Sequence, residues 1–200
     1  SVNALCDYGP GDFEVKDISG PKCSSDGKIT TEDRTMIGNP TPDFTYGISA
    51  TLNYKAFDFI LDFQGVYGNE VWRSWGNGST YSVFNYRQAR LDRWTASGSS
   101  NWEPRVGNDA INNLPSTYMI EDGSYIRLRN VQIGYTIPKS AVSKLGITAA
   151  RIYLSGQNLM TLKNNSGFSP EAGGRAIEFG VDNGGYPLPA ITSIGFNLTF

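Results

Sequence analysis

The chain has 200 residues and a formal charge of −2, with a pI near 5.2, so it lacks the basic footprint that nucleic-acid binding requires. Its 23 Gly, 11 Tyr, 10 Phe and 4 Trp, with no long run at helical spacing, argue for β structure. No apolar run approaches the roughly 18 residues of a transmembrane helix, which leaves membrane-spanning strands untouched.

The chain opens Ser1-Val2-Asn3-Ala4-Leu5-Cys6, without the basic and apolar regions of an export signal. The chain is therefore expected to be the tail of a longer protein. Cys6 and Cys23 are the two thiols of a chain without His, which favours a disulfide in an oxidising compartment over a zinc site and leaves free thiols as the alternative. Residues 1 to 43 carry turn formers throughout, including Gly9-Pro10-Gly11-Asp12 and Gly38-Asn39-Pro40-Thr41-Pro42, and are expected to form an extracellular loop segment. Within it Asp26-Gly27-Lys28-Ile29 and Glu32-Asp33 look like the later half of an oxygen-ligand calcium loop. Asp17, Asp26 and Asp33 are the candidate ligands. Pro21 to Ser25 interrupt the pattern, and a solvated Asx turn is the competing reading.

From Phe44 the two-residue period of a half-buried strand begins. Phe44, Tyr46, Ile48, Ala50, Leu52 and Tyr54 alternate with small polar residues. A second strand is predicted from Phe57 to about Gly68, with Phe59, Leu61 and Phe63 on one face and Asp58, Asp62 and Gln64 on the other. The third runs from Tyr125 to Ile137. There Arg127 and Arg129 continue the parity of Val131, Ile133 and Tyr135, so that end is expected to lie beyond any hydrocarbon. A helical turn over residues 140 to 145 precedes a fourth strand over 150 to 162. The last strand, 190 to 200, alternates Ile194, Phe196, Leu198 and Phe200 with polar residues, and its length fits a tilted membrane crossing.

Residues 69 to 123 form a long connection holding Trp72, Trp75, Trp94 and Trp102, with a hint of helix over 82 to 93. These indoles either anchor the loop on itself or stack on a ligand such as a sugar ring. Counted back from a periplasmic C-terminus, every long connection falls on one side and every short one on the other, the asymmetry of outer-membrane barrels. Five strands cannot close such a barrel alone.

Four runs carry a resemblance: residues 26 to 40 leading into Phe44-Thr45-Tyr46-Gly47, Gly123-Ser124-Tyr125-Ile126-Arg127-Leu128-Arg129-Asn130-Val131-Gln132-Ile133-Gly134-Tyr135, Ile152-Tyr153-Leu154-Ser155-Gly156-Gln157-Asn158-Leu159, and Gly167-Phe168-Ser169-Pro170-Glu171. In that order they resemble the C-terminal barrel region of the SusC/RagA family of TonB-linked outer-membrane proteins. The resemblance implies an all-β fold, with residues 44 to 200 supplying the last five or so antiparallel strands of a barrel of about 22 strands with long extracellular loops. It implies energisation through TonB, a SusD-like lipoprotein partner, a bacterial outer-membrane location, and import of oligosaccharides or peptides, without catalytic residues or a cofactor beyond the calcium considered above. Phe196, Leu198 and Phe200 would then act in the barrel-assembly signal.

The rival reading is a soluble secreted β-sandwich that binds glycan through loop tryptophans. An enzyme is not expected. Asp109, Glu121, Asp122, Glu171 and Glu178 are not spaced as a catalytic pair, and no nucleophile sits beside a base.

Overall fold

The computed structural model describes residues 9–19, 25–75, 87–107, 109–171 and 176–200. Cys6, Cys23 and the first part of the helix expected over 82 to 93 lie outside the described residues. The strands, in chain order, are β1 (Phe44–Tyr54), β2 (Phe57–Tyr67), β3 (Glu70–Arg73), β4 (Ile120–Asp122), β5 (Tyr125–Ile137), β6 (Ala149–Lys163), β7 (Val181–Asp182) and β8 (Ile191–Thr199). The chain divides into two compact units, one built from residues 39–72 and 121–200 and the other from 1–38 and 73–120.

In the first unit the five long strands form one antiparallel meander in the order β1-β2-β5-β6-β8. Its tight connections are short for stated reasons. Lys55 takes the left-handed conformation (φ 54°) in the two-residue turn between β1 and β2, as a tight hairpin requires. After β5, Pro138 ends the strand. A helical turn at Lys139–Val142 and a 3-10 turn at Ser143–Leu145 follow, and Gly146 closes them at φ 73°, where a β-carbon would be strained. The long connections, 68 to 124 and 164 to 190, leave from the opposite end. Among the described residues β3, β4 and β7 pair as a small three-stranded sheet in the order β4-β3-β7.

Register assigns the faces. Ile48 pairs with Phe63, Leu52 with Phe59 and Tyr54 with Phe57. Phe59 pairs with Ile133 and Leu61 with Val131, Ile133 with Leu154, and Leu154 with Ile194. Directly paired residues share a face, so one apolar surface runs across all five strands. It is uncovered: Ile48 is 57% exposed, Leu52 62% and Phe196 68%. A soluble sandwich would lay a second sheet over such a surface, and none lies there among the described residues. The buried apolar residues are few, and only Tyr125 and Ala150 come from the five long strands. The sheet is a wall segment of a transmembrane β-barrel, with its Ile, Leu and Phe rows toward lipid.

Aromatic rings bound this surface at both ends. Phe44 lies 5.2 Å from Tyr67 and 6.0 Å from Tyr46, while at the other end Phe57 lies 4.8 Å from Tyr135, beside Tyr54 with Lys55 over its ring. From Phe44 to Tyr54 the strand spans roughly 34 Å, and at a tilt of about 45° it rises roughly 24 Å, close to the height of the apolar band between aromatic girdles.

One sequence expectation is corrected. Arg127 and Arg129 do not continue the lipid face. The register of β5 shifts between Leu128 and Asn130 against β6, with a matching shift against β2. Ile126 and Leu128 therefore face lipid opposite Leu162 and Met160, and Arg127 turns to the polar side. A β-bulge inverts side-chain parity, which a count of alternating letters does not see.

The second unit has a polar core. Glu103 is buried and meets Arg87 at 3.0 Å and Arg90 at 3.7 Å, and the Tyr118 hydroxyl donates to it at 2.8 Å. Burial pushes the Tyr118 phenol up, helped by that carboxylate. Phe13 packs on Tyr118 at 4.7 Å, and Arg105 grips Asp12 with two bonds of 2.7 Å. Nearby, the N–H groups of Thr30, Ile18 and Ser19 donate to Asp33, which holds its carboxyl down at about 2.

Three measurements check these assignments, each in the full-length protein. On the barrel, Leu154→Arg puts a guanidinium into lipid at a cost of about 2–4 kcal/mol. It should sharply reduce the heat-modifiable barrel in outer membranes, whereas Ser155→Arg on the wet face should assemble normally; the reverse outcome inverts the sidedness. Glu103→Gln strands two nearly buried guanidiniums, an opening penalty of about 3 kcal/mol, so trypsin should cut at Arg87 and Arg90 far faster than in the wild type. Asp33 has a depressed folded pKa, so its contribution is present above about pH 4 and lost as pH falls through about 2. Pepsin cleavage within residues 16 to 34 should be slower in the wild type than in Asp33→Asn at pH 4, with the difference gone near pH 2.

Candidate functional site

The face opposite the apolar rows is a continuous polar surface. Asp58 and Arg151, on strands separated by β5, form a two-bond ion pair, with Nε to Oδ1 at 2.9 Å. Asn130 donates to Asp62 at 2.9 Å, Arg129 donates to the Gln64 side-chain oxygen, and Gln64 reaches the Tyr125 hydroxyl at 3.4 Å. Arg127 is buried. It donates to Thr161 at 3.1 Å and to Glu171 at 2.8 Å. Charged side chains stand on this face because it is turned to water within the barrel, and the buried Arg127 is compensated by its bonds to Glu171 and Thr161.

The Arg127 to Glu171 pair also fixes the connection that follows β6, and further bonds hold the same stretch. Lys163 binds the carbonyls of Asn165 and Gly167, Glu121 takes the Ser166 hydroxyl at 2.8 Å, and Asn158 donates to the Pro189 carbonyl at 3.3 Å. Asn164 donates to Asp122 at 2.7 Å; Ser124, the larger influence, holds the Asp122 carboxyl below the ordinary carboxylate range. Between this connection and the polar wall lies a cleft of about 600 Å³, lined on the wall by Gln64, Tyr125, Arg127, Arg129, Asn130, Gln157 and Asn158 and on the connection by Glu171 and Leu188. A cleft of hydrogen-bonding side chains with little apolar lining suits a hydrophilic ligand.

The residues singled out from sequence fall elsewhere. In β3, the Trp72 N–H donates to Gly180 at 2.8 Å and its ring is part exposed. The Trp75 carbonyl takes a bond from Arg73 at 2.9 Å. Trp94 packs over Gly11, where an added β-carbon would come within 2.4 Å of the indole. Trp102 is 66% exposed and lies 5.7 Å from the Tyr118 ring. Trp75, Trp94 and Trp102 belong to one unit and Trp72 to the other. Asp17 accepts from Ser25 and from the N–H groups of Asp26 and Gly27, and Asp26 from Lys28 N–H. Among the described residues no group of three or more His, Cys, Asp or Glu is placed to hold a metal ion. Phe196 and Leu198 stand on the exposed apolar face of β8, with Phe200 exposed just beyond it.

No protein-family model matches the chain. Individual proteins do. It is 35% identical over 186 residues to the TonB-dependent receptor P26 of Formosa agariphila, covering 88% of this chain and 19% of that protein. The TonB-dependent receptor P3 of the same organism is 35% identical over 205 residues, covering 97% and 19%. The TonB-dependent receptor SusC of Bacteroides thetaiotaomicron is 24% identical over 88% of the chain and 17% of its own length. Among solved structures, the RagAB peptide importer in its open-open state superposes with a TM-score of 0.73 at 24% identity, covering 94% of this chain and 21% of that one. A second structure, of the RagAB peptide transporter, gives 0.72 at 25% identity, covering 92% and 20%. The chain spans about a fifth of the length of these relatives. With an uncovered apolar face, two aromatic girdles and a polar inner wall, it belongs to the SusC/RagA family of TonB-linked outer-membrane proteins and supplies strands to their barrel.

Proposed function

We propose that the protein is an importer of nutrient oligomers across the outer membrane, driven through TonB and working with a SusD-like surface lipoprotein. The observation that supports this most is the pairing of faces on one sheet: lipid-exposed Ile, Leu and Phe rows outside, and inside a charged, hydrogen-bonded wall with a cleft of about 600 Å³. A barrel that served only as an anchor has no need of a shaped polar cleft beneath its long connections. The cargo is an oligosaccharide or a peptide. The long connections, which leave the sheet at one end, form the mouth and the surface that meets the lipoprotein.

Deleting the tonB gene, or the neighbouring lipoprotein gene, should abolish growth on the carbon source that induces this receptor while leaving the barrel present in outer-membrane fractions. Uptake that persists at wild-type rate without TonB would reject active import.

A further inference from the structure

We propose that the polar cleft is a subsite for a carboxylate carried on a hydrophilic chain, with the Arg129 guanidinium as its receptor. This rests on the import reading above and adds the chemistry of the cargo. The first observation is where the sheet is broken. In β5, Leu128 and Asn130 each pair with both neighbouring strands and Arg129 with neither. At the same level β6 runs from Gln157 to Met160 with Asn158 and Leu159 out of the ladder, and Asn158 takes a left-handed φ of 53°. A bulge releases one residue from the ladder and re-aims its side chain. Here it sets Arg129 and Asn130, adjacent in sequence, on the same inner face, as their bonds to Gln64 and Asp62 show. Irregularity in two neighbouring strands at one level, coinciding with a cleft, marks a shaped place rather than a random defect.

The second observation is charge. Among the described residues, two of the acids around Arg129 are held by other guanidiniums, Glu171 by Arg127 and Asp58 by Arg151, while Asp62 takes its hydrogen bond from the Asn130 amide and feels Arg129 only through space. Arg129 itself is exposed and its hydrogen bond goes to a neutral amide oxygen. A guanidinium offers five donors in a fork that matches a carboxylate with two parallel bonds. A single such group balances a monoanion and falls short of a phosphate monoester at about −1.5 to −2. Asn130 and Gln157 supply donors and acceptors for hydroxyl or carbonyl groups along the rest of the chain. Position fits too, since Arg129 lies close to the end of β5 from which the long connections leave.

The carboxylate could belong to an acidic sugar or to a peptide terminus, and the test separates them. Purified full-length receptor is titrated calorimetrically with trigalacturonate and its methyl ester, and with tetra-alanine and its C-terminal amide. In at least one pair the free acid should bind at least tenfold tighter than its neutral mate, and which pair does so names the source. Arg129→Gln should erase that preference while leaving the neutral mate unchanged, and Arg129→Lys should retain part of it; heat-modifiable migration confirms that each variant is an assembled barrel. Equal affinity for acid and neutral forms in both pairs, no binding of any probe, or a preference that survives Arg129→Gln overturns the proposal. Because binding to the purified receptor needs no TonB, such a failure beside intact TonB-dependent uptake removes the subsite and leaves the import reading standing.

Discussion

Register is the constraint on which this molecule depends. Side chains alternate across a strand, so a slip of one residue at any of the four long pairings would carry a row of Ile, Leu and Phe into water and a row of Asp, Gln and Arg into hydrocarbon. The penalty for a single guanidinium near the bilayer midplane is about 2–4 kcal/mol, and a slipped strand such as β2 would transfer several polar groups together. The tight turn at Lys55 and the capped turn ending at Gly146 fix two of the four pairings locally. Cross-strand bonds such as Arg151 to Asp58 fix others from the wet side.

The two faces thus do different physical work. The outer one contributes by being uncovered, because lipid tails solvate it as well as another apolar layer would. The inner one ties its charges into ion pairs and hydrogen bonds to amides, which keeps a polar surface ordered without a dry core. The pairing of β5 with both of its neighbours is interrupted at the level of Arg129, and that is where the cleft opens.

Much of the wall was legible in the letters. β1 and β5 span the residues their alternation marks, and β2, β6 and β8 differ by a residue or so at their ends, because nothing competes with period two over that length. The bulge was not legible. Arg127 reads as a lipid-face residue until Arg129 is known to stand outside the ladder, and the inner ion pairs join residues as distant as Asp58 and Arg151. The small sheet of β3, β4 and β7 was missed because strands this short carry no period. The polar core of the second unit was missed because Glu103 and its arginines look like ordinary loop charges until burial is seen. The tryptophans drew attention by chemical type, while the cleft is lined by amides and guanidiniums that composition does not single out.

That second unit packs its own interior, from the Glu103 cluster to the Asp12 clasp on Arg105. A unit that packs its own interior frees selection to rewrite its surface without disturbing the membrane wall. Its exposed side chains are therefore free to be traded from one related receptor to the next while the strands of the wall stay almost unchanged.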